Sequence, residues 1–273
     1  MILLCFQLLG SQLVAQQLYE GRVVDAKTGS GIPFVNIGVP ALGAGTVSNE
    51  EGQYRLTLKT GDHTILFSSI GYERLELPLL DLINGSEIKL NPKTKVLDEV
   101  VINPSRYVNE VLLGHKLNQK GNSIGFSGKL LGTEIGAHIK VKNETLLKSA
   151  HFMVNFIGAD SLLFRVNIYD FSKGKLGDKL NAENIAIKAP QRKGTFNVNL
   201  EPYDILVKED VLLSLEWIQG INNEGLMFRS KKGTGTNLYS RRTSFAPFKK
   251  IADEINFAPK LKIGFYLIGT EKG

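Results

Sequence analysis

Apolar and polar residues alternate with a period of two through most of this chain, and that period predicts strands. The clearest case is Tyr54, Leu56 and Leu58 set against Arg55, Thr57 and Lys59, side chains that face core and water in turn. Strands are expected near 18–25, 33–39, 53–58, 63–69, 73–77 and 86–90, each short and rich in β-branched residues. The runs are separated by residues that turn the chain or cap their own backbone, such as Thr28-Gly29-Ser30-Gly31 and Asn49-Glu50-Glu51-Gly52. Pro33 stands at the start of a strand, a position where its missing N–H is tolerated.

A connector is expected over 103–125, where Pro, Asn and Gly accumulate around a weakly amphipathic piece carrying Tyr107, Val108, Val111 and Leu112. Strand signals then return at 137–141, 149–156, 162–169, 194–200, 211–217 and 261–268, with turn residues between them. That spacing predicts a second sandwich, of jelly-roll type, over 126–273. In the run 162–169, Leu162, Phe164, Val166 and Ile168 share one face while Leu163, Arg165, Asn167 and Tyr169 share the other. In 211–217, Val211, Leu213, Leu215 and Trp217 oppose Ser214 and Glu216. The fold class read from these patterns is all-β.

Before the first strand, residues 1–17 carry no charge and pass from an apolar centre (Ile2 to Leu9) to small and polar residues ending Val14-Ala15-Gln16-Gln17. This is the pattern of a secretory signal peptide cut near Ala15 to Gln17, although the usual basic start is missing. Its apolar run is too short to span a bilayer, and no later run is long enough to cross as a helix. The one cysteine, Cys5, lies inside this segment. A mature chain would therefore hold no disulfide, thiolate nucleophile or cysteine zinc site.

The N-terminal motifs carry a resemblance. Gly21-Arg22-Val23-Val24-Asp25-Ala26-Lys27-Thr28, the strand led by Pro33, Asn49-Glu50-Glu51-Gly52-Gln53-Tyr54 and Ile70-Gly71-Tyr72 together resemble the carboxypeptidase-like regulatory domain, a transthyretin-like β-sandwich. Residues 18–102 are assigned to it. The segment Leu97-Asp98-Glu99-Val100-Val101-Ile102 resembles the hinge that follows this module in TonB-dependent outer-membrane receptors, including starch-utilisation types. In those receptors the hinge leads to a plug and a long barrel; residues 103–273 are too few for both and show no ladder of barrel-length strands. What the resemblance implies is a place in the envelope of a Gram-negative bacterium, in the periplasm or at the outer-membrane surface.

Charge separates the two halves. Residues 18–102 hold 8 basic and 11 acidic side chains, whereas 103–273 hold 25 and 16, so an acidic partner is expected to meet the second half. Two features there are candidate ligand surfaces. The polar faces of 162–169 and 211–217 bring Arg165, Asn167, Tyr169 and Glu216 together, giving planar donors and a stacking ring of the kind that holds sugars. The plainer reading of the same residues is a surface ion pair between Arg165 and Glu216, contributing under about 1 kcal/mol. The second feature is the run from Arg229 to Lys250, with seven basic residues and no acid, in which Arg241, Arg242, Lys249 and Lys250 are singled out for an anionic polysaccharide. The competing reading is a solvated basic loop, and export argues against nucleic acid.

Zinc-protease motifs are not found. His63, His115, His138 and His151 are scattered, and the sequence contains no His-Glu-x-x-His. Asp25 and Asn49 are read as turn caps in preference to calcium ligands, since few neighbouring oxygens complete a cage. No cofactor is expected. The sequence thus favours a non-enzymatic binding or assembly component of the envelope, with an envelope protein or glycan as partner. A glycan-binding module comes second, and a hydrolase whose site forms only on folding comes third.

Overall fold

The computed structural model describes residues 16–59, 61–93, 106–117, 122–126, 130–157, 162–189, 192–220, 225–233, 237–251 and 260–273. Residues 1–15 of the expected signal peptide, the hinge-like segment 95–102 and the turns expected at 158–161 and 222–224 lie outside them. The first half is built from β1 (Gln16–Asp25), β2 (Asn36–Val39), β3 (Ala44–Val47), β4 (Gln53–Lys59), β5 (Thr64–Ser68), β6 (Leu75–Pro78) and β7 (Glu87–Leu90). They form a three-stranded sheet, β4-β1-β7, and a four-stranded sheet, β3-β2-β5-β6. β1 pairs antiparallel with β4 and parallel with β7, so the strand nearest the start of the sequence is central. β4 alternates as its sequence predicts, with Tyr54, Leu56 and Leu58 buried and their neighbours exposed. Those three join Tyr19, Val23, Ile37, Ile65 and Phe67 in one core between the sheets.

The turns between these strands are held as their residue types suggest. The Asp25 carboxylate accepts from the N–H groups of Lys27 at 2.7 Å and Thr28 at 2.9 Å, and from the Tyr72 hydroxyl at 3.0 Å. Asn49 Oδ1 accepts from the N–H groups of Glu51 and Gln53. Gly52 has a φ of 81°, and a Cβ there would fall 2.3 Å from the Val23 carbonyl oxygen, so both conformation and space demand glycine.

The second half comprises β8 (Tyr107–Gly114), β9 (Asn122–Phe126), β10 (Glu134–Ile139), β11 (Thr145–Ile157), β12 (Leu163–Asp170), β13 (Ile185–Lys188) and β14 (Gly194–Asn199). It continues with β15 (Leu206–Val207), β16 (Val211–Gln219), β17 (Leu226–Lys232), β18 (Leu238–Arg241), β19 (Lys249–Lys250), β20 (Leu261–Ile263) and β21 (Phe265–Lys272). One sheet runs β13-β12-β16-β10-β18-β19, and the other β20-β17-β11-β21-β8 with β9, β14 and β15 attached. The two enclose a core that includes Phe126, Phe152, Phe164, Val166, Leu213, Leu215, Trp217, Phe228 and Phe265. Phe126 packs on Phe164, Trp217 and Phe228 at centroid distances of 5.0, 6.4 and 6.1 Å. Burying such side chains contributes about 1.5–3 kcal/mol each, the main term holding the sandwich closed. This is the jelly-roll-like sandwich that the strand spacing predicts, and the protein is all-β.

Part of the stretch expected to be connector is sheet. β8 pairs with β21 and β9 with β17, so residues 107–114 and 122–126 belong to the second sandwich. β8 is an edge strand whose only buried residue is Leu113, which blunts the alternation that would have marked it as a strand.

The two sandwiches meet closely. Phe34 and Val47 of the first pack with Ile218 of the second, along with Leu131 and Leu163. Gly38 and Gly45 lie so close to Phe245 and Thr243 that a Cβ would come within 2.8 Å and 3.2 Å of those side chains. Arg74 places its guanidinium 5.6 Å from the Phe245 ring centroid, across the same seam. Among the described residues no helix is long and apolar enough to cross a membrane.

Candidate functional site

β12 and β16 run antiparallel with Arg165 opposite Glu216 and Asn167 opposite Ser214; β10 lies on the other side of β16, with Glu134 opposite Glu216. β18 then sets Arg241 opposite Glu134. The register therefore lines up Arg165, Glu216, Glu134 and Arg241 across four neighbouring strands, on the face turned away from the jelly-roll core. Strand alternation dictates this, because the intervening residues Phe164, Val166, Leu215 and Ile135 are core.

That face is covered. Arg165 is 2% exposed, Asn167, Glu134 and Glu216 are fully buried, and Tyr169 is buried. The sequence expectation of an open polar face is corrected here: the first sandwich seals it. Arg165 donates to Glu216 Oε2 at 3.2 Å and, through Nη2, to the Phe34 carbonyl oxygen. Phe34 holds a φ of 55°, unusual for a residue with a side chain, and its carbonyl meets the guanidinium across the seam. Asn36 also reaches over. With its amide in the orientation its neighbours require, it donates to Glu216 Oε1 at 2.8 Å and accepts from Arg165 Nη1 at 3.2 Å.

Both carboxylates are saturated with donors. Glu216 further accepts from Asn167 at 3.0 Å and from the Ser244 hydroxyl at 2.6 Å. Glu134 accepts from Asn167 at 2.8 Å, from the Ser214 hydroxyl, from Arg241 Nε at 2.7 Å and from the Tyr169 hydroxyl at 3.4 Å. Arg241 also donates to the Tyr169 hydroxyl at 2.7 Å and sits 4.4 Å from the Phe248 ring centroid. Burial alone would raise the Glu216 carboxyl, but Arg165, Lys179, Arg241 and the Ser244 hydroxyl outweigh it and hold it at about 2. Burial and the Glu134 charge push the Tyr169 phenol well above its ordinary range. Burial would lower Arg241, but Glu134, Tyr169 and Glu216 raise it.

Of the residues singled out from sequence, Arg165, Asn167, Tyr169, Glu216 and Arg241 come together in this network. Arg242, Lys249 and Lys250 do not. They are exposed, and Lys249 and Lys250 lie on β19 at the sheet edge, with Lys250 Nζ 5.9 Å from the Tyr239 ring centroid. The basic run is thus divided between a buried member and exposed ones, because alternation along β18 and the turn after it send consecutive residues to different sides. The sequence reading missed Glu134, Lys179, Asn36 and Ser244. Nothing in the sequence marks Lys179, which reaches the polar face through a bridge to Tyr169 that forms only in the fold.

Beside the network, a cleft of about 650 Å³ opens between the sandwiches. The first sandwich lines it with residues that include Asn36, Tyr72, Glu73, Arg74 and Lys93, and the second with Arg165, Asp178 and Lys179, so carboxylates and cations share its wall. Lys179 Nζ lies 5.5 Å from the Tyr169 ring centroid, and burial draws its ammonium down to about 8 despite the pull of Glu216. Arg165 Nε is buried with no hydrogen-bond partner.

With this geometry in hand, known proteins place the first half. Residues 19–102 match the model of the CarboxypepD_reg-like domain. The TonB-dependent receptor SusC of Bacteroides thetaiotaomicron is 35% identical over 88 residues, covering 32% of this chain and 8% of the receptor. The TonB-dependent receptor P39 of Formosa agariphila is 28% identical over 127 residues, covering 46% of this chain and 11% of that one. The chain thus spans only about a tenth of the length of these relatives. Among solved structures, the cysteine protease and lectin-like domains of Cwp84 from Clostridium difficile align with 84% of this chain and 46% of that one, at 12% identity and a TM-score of 0.42.

Proposed function

We propose that this chain is a non-enzymatic binding or assembly component of the Gram-negative cell envelope, in which the two sandwiches act as one platform. The observation that carries the reading is the saturation of Glu134 and Glu216. Each carboxylate is fully engaged by donors, and the set is tied to Phe34 and Asn36 of the other sandwich. Carboxylates held in this way serve to fix two bodies together; a general acid or base needs a free lone pair at the substrate and a tuned pKa. The envelope location is supported by the CarboxypepD_reg-like segment and by the 35% identity to the TonB-dependent receptor SusC over 88 residues.

The test is fractionation of a bacterium expressing the chain with its own leader, followed by in-cell cross-linking. Recovery from the periplasmic or outer-membrane fraction, cross-linked to an envelope protein, is expected. Recovery of the intact chain from the cytosol would overturn the reading.

A further inference from the structure

Cations from three segments distant in sequence converge on the outer face of the larger sheet, the side turned away from its core. Leu226 and Phe228 of β17 and Leu261 and Ile263 of β20 are core, so alternation sends Arg229, Lys231 and Lys262 to the other side. The register sets Lys231 directly opposite Lys262, with Cβ atoms about 4.5–5.5 Å apart, an arrangement of like charges that costs stability. Lys232 and Lys260 flank that pair at the strand ends. Lys116 joins them from the segment after β8, which crosses the same face where the Leu117 N–H donates to Met153 Sδ at 3.0 Å. The fields of these cations meet there: burial, with Lys262 beside it, draws the His115 imidazole below its ordinary value, and burial with Lys116 does the same to His151. Lys116, Lys231, Lys232 and Lys260 are exposed, and Arg229, half-buried, keeps Nε without a hydrogen-bond partner. Among the described residues none of the six cations forms an ion pair.

The acids do not cancel this charge. β9, β11, β14, β17 and β20 hold none, and Glu110 and Glu271 stand toward the β8 border of the sheet, at the far ends of β8 and β21 from Gly114 and Tyr266. The segments that adjoin those five strands outside the described residues hold four acids, Asp160, Glu224, Asp253 and Glu254, and two lysines, Lys120 and Lys129, so even their fullest count leaves the face cationic. The make-up of the face narrows the partner. Five of the six cations are lysines, point charges without the fixed fork of a guanidinium, which respond to charge density more than to the geometry of one group. A single-stranded nucleic acid needs exposed rings for its bases, and the ring that β21 turns to this face, Tyr266, is 3% exposed and stacked on His151 at 4.5 Å. A bilayer surface calls for apolar side chains beside the lysines, and the exposed Val108 and Leu112 stand on β8, at the opposite border of the sheet from β20. Thr195 and Asn197 of β14 are exposed between core Phe196 and Val198 and add neutral groups that suit hydroxyls.

We propose that the outer face of the larger sheet binds a linear acidic polysaccharide, with Lys116, Arg229, Lys231 and Lys262 contacting its anionic groups. This rests on the envelope-binding reading and adds a surface and a ligand class to it. The surface is distinct from the β19 edge of the other sheet, where Lys249 and Lys250 stand. A flat face of unpaired cations holds a polymer through many weak contacts, a hold that loosens as salt is raised.

Fluorescence anisotropy of labelled dextran sulfate and of labelled neutral dextran, two polymers of one backbone that differ in charge, tests it on the full chain. The sulfate is expected to bind and the neutral polymer not, and the sulfate's affinity is expected to fall at least about tenfold between about 50 and 200 mM salt. Lys231→Gln with Lys262→Gln is expected to weaken binding about tenfold while its Tm stays at or above that of the wild type, because a like-charge pair is removed. Lys249→Gln with Lys250→Gln, at the exposed edge of the other sheet, is expected to leave binding unchanged. Circular dichroism confirms that each variant is folded. No binding of dextran sulfate at low salt, an unchanged affinity in the Lys231 and Lys262 variant, or an equal loss in both double variants would each overturn the proposal. So would tighter binding to phosphatidylglycerol vesicles or to polyuridylate than to dextran sulfate. The envelope reading is tested separately: failure to bind dextran sulfate leaves it intact, and recovery from the cytosol sinks it even if the polymer binds.

Discussion

Replacing Arg165 by Met keeps most of the side chain's bulk and removes the guanidinium from a site 2% exposed. Glu216, fully buried, then loses its strongest partner, and the Phe34 carbonyl loses its donor from the other sandwich. Breaking a buried pair by removing one member costs about 3–5 kcal/mol, because the charge left behind is uncompensated. A solvent-exposed pair in the same register would cost under about 1 kcal/mol, so the two accounts are well separated. For a chain of this size such a loss corresponds to a fall in Tm of roughly 6–20 °C. The assay is urea unfolding followed by two probes. The single tryptophan, Trp217, is buried in the second sandwich, whereas far-ultraviolet circular dichroism reports both. In the wild type the two curves should coincide, since the network spans the seam. In Arg165→Met the midpoint should fall, and the double change Arg165→Met with Glu216→Leu should regain much of the loss. A folded Arg165→Met protein within about 1 kcal/mol of wild type would refute the claim that this pair holds the seam.

Two further outcomes follow from the same region. Lys179 has a folded pKa of about 8 against an ordinary 10.5, so between pH 8 and about 10 the unfolded chain holds more protons and stability should rise with pH; Lys179→Met should flatten that rise in pH-resolved denaturation curves. Glu134, Glu216, Arg165, Arg241 and Tyr169 are the charged and titratable groups facing it, and of these Tyr169, raised well above its usual range, opposes the rise only above about pH 10. At the acid end, Glu216 at about 2 against 4.5 contributes stability that is lost as pH falls through that interval. Gly38→Ala would place a methyl 2.8 Å from Phe245 Cδ2 and 3.0 Å from the Ala44 carbonyl oxygen, and the overpacked seam should cost about 1–3 kcal/mol by thermal unfolding. A wild-type Tm in that variant would mean that the loop carrying Phe245 yields freely.

The strands that the sequence reveals are those with one wet face and one dry face. β4 is legible because Arg55, Thr57 and Lys59 are exposed between buried Tyr54, Leu56 and Leu58. β8 is not, because only Leu113 is buried while Val108 and Leu112 are left exposed, which leaves no clean period to read. The candidate site was half legible. Its members on β12 and β16 follow from alternation, and even the Arg165–Glu216 partnership could be anticipated. Their burial could not, since a polar residue at an alternate position looks the same whether it faces water or another sandwich. Glu134 and Arg241 enter only through the order of strands in the sheet, which places β10 beside β16 and β18 beside β10. Strand order depends on contacts between residues far apart in sequence, to which local pattern is blind.

β21, the strand made last among those described, is not at a border. It lies between β11 and β8 and pairs with both, and Asn109 donates to the Lys272 carbonyl oxygen across 163 positions of sequence. The second sandwich therefore cannot zip up progressively as the chain emerges from the ribosome. Its larger sheet stays split until β21 arrives to fill the gap, so folding should be slow. A chain that waits this long remains threadable, and a nick just before Phe265 would remove a stave from the middle of the sheet rather than fray its rim.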